Sequence, residues 1–134
     1  MVKSRSELRE KCMIILYQIE IMKKNNIPYN IEDLIKDNLE ISSEFVKEIV
    51  YGVVTECNKL NELANKYLKN WDINRIEETG ASILRVAIYE LVYTDTPQIV
   101  VINEAVNLAK KYSDDKIRKM INASLDKVMK DYER

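Results

Sequence analysis

Turn-forming residues are scarce in this chain, which has two glycines and two prolines among 134 residues. An all-β fold places turns about every 8 to 12 residues and draws on Gly and Pro to make them. Apolar residues instead recur every three or four positions through nearly the whole sequence, the spacing of one face of an α-helix. We therefore predict an all-α fold, in a chain long enough to bury a core of its own.

The first half of the sequence predicts three helices. Ser4 or Ser6 caps the first helix, and a second helix covers about residues 30–39. One face then stays apolar over residues 43–71, which predicts a single long helix. Gly52 lies inside that helix and marks either close packing against another backbone or a bend.

The second half predicts a short turn and three further helices, about seven helical elements in all. They are a turn after Asp72, a nearly all-apolar helix over residues 81–93, a helix from Pro97 to Tyr112, and a last helix capped by Ser113 or Asp114. A helix that is apolar nearly all round belongs at the centre of a domain. The stretch 70–80 is the one plausible seam, dividing a single domain into helical halves of about 1–70 and 71–134.

Several classes of function lack the residues that they need. The chain has no histidine, so the usual general base and the commonest zinc ligand are missing. Two cysteines, Cys12 and Cys57, supply neither a four-thiolate site nor a disulfide framework. There is no glycine-rich phosphate loop and no G-x-S-x-G motif. We therefore expect no catalytic residues, no metal and no cofactor.

The same sequence predicts a cytoplasmic protein. No apolar run approaches the ~20 residues of a membrane-spanning helix. The charged start does not resemble a secretory leader, and the low cysteine content suits a reducing compartment.

Charge is sorted along the chain, although the net charge is only −1. The first eleven residues hold Lys3, Arg5, Arg9 and Lys11 against Glu7 and Glu10. On a helix the two arginines fall on adjacent turns at one edge of the apolar stripe, where guanidinium groups can bind phosphates. The alternative is an ordinary solvated face, interrupted by two acidic residues.

A second basic cluster lies at the start of the last helix, formed by Lys116, Arg118 and Lys119 and followed by Met120. Basic residues at a helix N-terminus oppose the macrodipole, and binding of an anion there is one reason for such a placement. The alternative is that Asp114 and Asp115 simply balance the charge.

Polar residues also interrupt two otherwise buried stretches. Arg85 and Glu90 lie within the central apolar helix and must be paired or reach the surface. Asn103 and Glu104 follow the start of the next helix, where their side chains can fix the preceding loop. Both features indicate structural roles.

Six collinear blocks of this sequence resemble the NusB transcription antitermination family. They are SRSELREKCMIILYQ at 4–18, YGVV at 51–54, LKNWDINRI at 68–76, ILRVAIYEL at 83–91, PQIVVINEAVNLAKKY at 97–112 and MINASLDKV at 120–128. The resemblance implies an all-helical fold of two packed subdomains and a non-catalytic RNA binder. Such proteins bind the boxA element of nascent ribosomal RNA together with NusE, a small-subunit ribosomal protein, and join an elongation complex.

The resemblance also implies where the ligands bind. The RNA-contacting residues correspond to Lys3, Arg5, Arg9 and Lys11 near the start and to Lys116, Arg118, Lys119 and Met120 in the last helix. The NusE-contacting region corresponds to Tyr17, Gly80 and Arg85.

Departures from the family pattern predict weak RNA binding by the chain alone: Ser6 and Glu7 interrupt the basic run, and Met120 stands in a block where relatives commonly carry Phe. A further departure, Gly80 in place of a frequent acidic residue, affects the expected partner contact. A protein-interaction module that binds NusE but little RNA is therefore the alternative function. An accessory to an RNA-modifying enzyme ranks third, and self-association through the partner surface is an open alternative when NusE is absent.

Overall fold

A computed structural model describes residues 3–132, and within that range it contains seven α-helices and no β-strand. The helices are α1 (Arg5–Lys24), α2 (Ile31–Asn38), α3 (Glu44–Thr55), α4 (Cys57–Tyr67), α5 (Glu78–Tyr93), α6 (Gln98–Tyr112) and α7 (Asp115–Asp131), with a 3-10 turn at Ile73–Arg75 between α4 and α5. The predicted all-α class is confirmed. Among the described residues, every helix is too short or too polar to cross a bilayer.

Side-chain caps define where most of the helices begin. Ser4 accepts a hydrogen bond from the Glu7 amide, while the Glu7 carboxylate accepts one from the Ser4 amide, both at 3.2 Å. The side chains of Asn30, Ser43 and Asp114 each accept one amide hydrogen bond at the start of α2, α3 and α7. Each cap satisfies an amide that has no partner inside its helix, so these polar residues fix the helix starts locally.

The single long helix predicted over 43–71 is wrong. The chain breaks at Glu56, whose dihedral angles of φ −97° and ψ 15° end α3 and begin α4. Because the Glu56 amide still donates to the Gly52 carbonyl at 2.9 Å, the chain stays close to helical at the break. The apolar positions therefore remain in phase across it, and periodicity alone cannot reveal the break. Helix α4 also ends at Tyr67, four residues before the predicted end at residue 71.

Helix α5 is the centre of the fold and contacts α1, α3, α4, α6 and α7. Every residue from 80 to 88 is buried, as the nearly all-apolar sequence of this helix predicts. One continuous cluster of buried apolar side chains joins the elements before and after the predicted seam. The helices that carry the polar surface residues therefore share one core.

Candidate nucleic-acid interface

The N-terminal turns of α1 carry cations on an accessible surface. Arg5 is exposed, and its guanidinium carbon lies 4.3 Å from the centre of the Phe45 ring on α3. Stacking on an aromatic face holds a guanidinium in place and leaves the N–H groups at its edge for a ligand. Lys3 and Lys11 lie on the same end of the helix and are partly exposed. This arrangement suits phosphate contacts.

Arg9 is not part of that exposed surface. Its side chain is only 5% exposed, and its Nε and Nη2 atoms donate to the two carboxylate oxygens of Glu90 at 2.8 and 2.9 Å. Burial alone lowers the pKa of the guanidinium, but the hydrogen bonds and charge of Glu90 outweigh it and raise the pKa. The four-residue spacing turns Arg9 about 40° from Arg5, toward the core. The structure thus corrects the predicted row: a phosphate reaches Arg9 only if its ion pair opens.

The two acidic residues near the start of α1 have structural partners. Glu7 completes the cap at Ser4, and Glu10 accepts hydrogen bonds of 2.5 Å from both Lys111 Nζ and the Tyr112 hydroxyl. The bonds from Lys111, followed by the one from Tyr112, lower the pKa of Glu10. Glu10 consequently ties the end of α6 to α1 and brings a further cation beside it.

Lys111 and Phe45 are thus two residues of this surface that the sequence analysis missed. Phe45 is the only phenylalanine in the chain, which singles it out in the sequence. The sequence does not indicate that its ring lies against Arg5. The contact between Lys111 and Glu10 joins residues 101 positions apart, so no local pattern contains it.

A groove of about 740 Å³ runs beside the cationic start of α1. It is lined by Lys3, Glu7, Leu8 and Lys11 on one side and by residues 36–43 on the other. Its charges are mixed, because Lys36 lies there together with Asp37 and Glu40. The groove therefore adds accessible surface next to the cations but no strong positive field of its own.

The second cluster begins where Asp114 caps α7. Lys116 and Lys119 are exposed, whereas Met120 is half-buried and packs against the core. Arg118 Nε lies 3.5 Å from the carboxylate of Asp115, which is itself largely exposed, so this pair is weak and solvated. The predicted cations of this cluster are therefore accessible to a ligand.

The two basic clusters are anchored near opposite ends of α5. Arg9 pairs with Glu90 near the end of that helix, and Ile117 packs against Gly80 near its beginning. Ten residues of α-helix span about 15 Å. Lys111, held by Glu10, adds a cation beside the α1 cluster, so the candidate interface consists of separate cationic patches.

The residues predicted to contact a protein partner lie at different depths. Tyr17 on α1 is 37% exposed. Gly80 is buried, and a Cβ atom there would lie 2.7 Å from the Ile117 Cγ2 methyl. Arg85 is also buried: its Nε donates to the Asn61 side chain at 2.9 Å. Of the three, only Tyr17 presents a large exposed side chain to a partner.

Arg85 is buried but holds the carboxylate of Glu78, which pairs with Lys24 at the surface. Its Nη1 donates to one carboxylate oxygen of Glu78 at 3.0 Å, and the other oxygen accepts from Lys24 Nζ at 2.7 Å. Arg85 therefore positions Glu78, which links the end of α1 to the start of α5.

Comparison with known proteins assigns the chain to a family. The model of the NusB family matches residues 6–130. This chain belongs to the NusB family. It is 40% identical over 129 residues to the transcription antitermination protein NusB of Macrococcus caseolyticus, covering 95% of this chain and 97% of that protein. The Staphylococcus aureus protein of the same name is also 40% identical over 129 residues, covering 95% of this chain and 99% of the relative.

Solved structures agree with the family assignment. NusB of T. maritima superposes with a TM-score of 0.86 at 27% identity, over 100% of this chain and 96% of that one. A chain from a complex of the antitermination factors NusB and NusE with double-stranded RNA superposes with a TM-score of 0.82 at 25% identity, over 98% of this chain and 100% of that one.

Proposed function

We propose that this NusB-family chain is a non-catalytic RNA-binding antitermination factor that binds a boxA-type ribosomal RNA leader together with NusE. The observation that carries the proposal is the match, over 98% of this chain, to a protein in a complex with NusE and RNA. The exposed cations of α1 and α7 supply the chemistry that RNA binding needs. The protein works in the cytoplasm as part of a transcription elongation complex.

In this proposal the protein acts by positioning RNA. The cations that contact phosphates are Lys3, Arg5, Lys11, Lys111, Lys116, Arg118 and Lys119. Phosphate contacts fix the register of the RNA and carry no sequence information, so sequence preference comes from exposed bases and from the partner. Arg9 has a different role, because its pairing with Glu90 holds the start of α1 in place.

NusE binds, in this proposal, at the surface that includes Tyr17 and the Lys24–Glu78 ion pair. Tyr17 offers an amphipathic ring of the kind enriched at protein interfaces. Arg85 lies beneath this surface and orients Glu78, so its contribution to partner binding is indirect.

A salt-dependent titration tests the proposal. Binding of boxA-type RNA is measured at several salt concentrations, with and without NusE, for the wild type, Arg5→Gln with Lys11→Gln, and the exposed control Lys127→Gln. We expect NusE to tighten binding, and each lost phosphate contact to reduce the salt slope by about 0.7 for a single strand. Binding that is insensitive to salt, or unchanged in the double variant, contradicts the electrostatic mechanism.

The alternative, an interaction module that retains NusE but binds little RNA, is favoured by one observation. With Arg9 occupied by Glu90, three basic side chains are left near the start of α1. NusE binding with no gain in RNA affinity selects this alternative. Sedimentation of the chain with and without NusE tests whether free copies self-associate.

A further inference from the structure

Trp71, the only tryptophan of the chain, lies at the surface between α4 and the 3-10 turn. Trp71 is 38% exposed, one of several large apolar or aromatic residues at the surface. The ammonium nitrogen of Lys116, at the start of α7, lies 4.7 Å from the ring centre. A large aromatic ring is thus both open to solvent and placed beside a cation of the α7 cluster.

Trp71 also lines a groove of about 560 Å³ that Lys116 does not line. The other lining residues are Asn65, Leu68, Asn70, Asp72 and Arg75. Apart from Leu68, these side chains carry amide, carboxylate and guanidinium groups, although one oxygen of Asn65 and one of Asp72 already accept backbone amide hydrogen bonds. Because the Asp72 carboxylate and the Arg75 guanidinium offset each other's charge, the groove has no excess of positive charge for a phosphate and suits a neutral ligand with hydrogen-bonding edges.

A nucleobase has this chemistry. Proteins that bind single-stranded RNA stack unpaired bases on aromatic side chains, bind the base edges with polar groups and hold the neighbouring phosphates with cations. Trp71 supplies the ring, the groove supplies the polar groups, and Lys116 supplies the cation. The three components meet at one place on the described surface.

From this arrangement we infer that Trp71 is a stacking site for one unpaired base of a single-stranded RNA segment whose phosphates follow the start of α7. The inference rests on the proposed RNA-binding function and deepens it by naming a base subsite. The base lies against the indole within the groove, and the adjacent phosphate binds Lys116. Paired bases in a duplex are already stacked on each other and do not enter the site.

Tryptophan fluorescence tests this site directly, because Trp71 is the only source of the signal in the chain. The wild-type protein is titrated with boxA-type single-stranded RNA and with a duplex of the same sequence, and Trp71→Phe serves as the fluorescence blank, also in the presence of NusE. We expect the single strand to quench the fluorescence and the duplex to leave it nearly unchanged.

Affinity measurements on variants complete the test. Trp71→Leu keeps an apolar side chain but removes the stacking face, so we expect about 5- to 100-fold weaker binding of the single strand. Trp71→Phe keeps a ring and retains most of the affinity. Lys116→Gln weakens binding and lowers the salt slope, whereas Lys127→Gln, elsewhere on α7, does neither. Circular dichroism checks that each variant is folded.

The outcomes separate this inference from the function on which it rests. If the RNA binds but neither quenches Trp71 nor distinguishes Trp71→Leu from the wild type, the base subsite is rejected and RNA binding stands. If neither RNA binds at any salt concentration, even with NusE, both are rejected.

Discussion

Arg9 and Glu90 form a buried, bidentate ion pair that holds the start of α1 against the end of α5. The two nitrogen–oxygen distances are 2.8 and 2.9 Å, and the side chains are 5% and 1% exposed. Glu104 adds a second carboxylate 3.8 Å from Arg9 Nη1 and also accepts a hydrogen bond from the Ser6 hydroxyl. The basic start of α1 is therefore anchored to the core by one of its own arginines.

Glu90→Gln tests the energetic consequence of this pair. The amide preserves the size of the side chain but leaves the Arg9 charge buried without its main counter-charge. We expect the free energy of unfolding to fall by about 3 kcal/mol, since breaking a buried pair from one side costs about 3–5 kcal/mol. Urea denaturation, followed by circular dichroism, measures the change.

The control removes both charges. Arg9→Met with Glu90→Leu leaves only the partly exposed Glu104, which keeps its hydrogen bond from Ser6, without a cation, so we expect the double variant to be more stable than Glu90→Gln. A free energy of unfolding for Glu90→Gln within about 1 kcal/mol of the wild type contradicts the importance of this pair.

The same substitution at Arg5 and at Arg9 should affect different properties, RNA affinity at Arg5 and stability of the fold at Arg9. Arg5→Gln removes an exposed cation, so we expect weaker RNA binding, with about 1 kcal/mol or less of stability lost from its stacking on Phe45. Arg9→Gln should destabilise the fold strongly by leaving Glu90 without its main counter-charge. RNA titration and urea denaturation are run on both variants. If Arg9→Gln is as stable as the wild type and binds RNA less well than Arg5→Gln, Arg9 belongs to the interface after all.

The contrast between these two arginines shows how far the sequence alone leads. Caps such as Ser4 and Asp114 are local hydrogen bonds between residues three apart, so both partners lie within one short stretch of sequence and the cap can be predicted from it. The depth of Arg9 instead depends on Glu90, which is 81 residues away. The break at Glu56 could not be predicted from periodicity, because the apolar positions of α3 and α4 stay in phase across it.

Gly52→Ala tests a close contact of Gly52 with Tyr89. From the sequence, Gly52 indicated either close packing or a bend in the helix. An added Cβ would lie 2.2–2.4 Å from ring atoms of Tyr89, whose ring stacks on Tyr93 with centres 5.1 Å apart. We expect a loss of about 1–2 kcal/mol in the free energy of unfolding, because overpacking outweighs the gain in helix propensity. Thermal and urea unfolding measure it.

The companion variants for this prediction alter Tyr89. Tyr89→Phe keeps the ring, so Gly52→Ala should remain costly in that background. Tyr89→Leu removes the obstructing ring, and there the alanine should be neutral or stabilising. Equal costs in both backgrounds would show that Tyr89 is not the obstacle.

Glu10 gives the link between α1 and α6 a dependence on pH. The hydrogen bonds from Lys111 and Tyr112 hold its pKa below the ordinary value of 4.5. Its contribution to stability is therefore fully present above about pH 5 and is lost as the pH falls through the folded-state pKa. We expect the difference in unfolding free energy between the wild type and Glu10→Gln to narrow between about pH 6 and pH 3. Glu62→Gln, an exposed change on α4 that also removes one carboxylate, is the matched control.

Asp114 allows stability and RNA binding to be separated at the start of α7. Its carboxylate accepts a hydrogen bond from the Ile117 amide at 2.8 Å, and it lies two residues before Lys116. Asp114→Ala loses the cap and should lower the free energy of unfolding by about 1 kcal/mol, whereas Asp114→Asn keeps a cap of similar quality and should cost less.

Both Asp114 variants remove one negative charge from the proposed path of the phosphates. We therefore expect both to bind single-stranded RNA more tightly than the wild type, and to a similar extent, although their stabilities differ. Urea denaturation and RNA titration at low salt provide the two measurements. If affinity follows stability instead, with Asp114→Ala weaker and Asp114→Asn unchanged, the start of α7 does not carry the RNA phosphates and acts only as part of the scaffold.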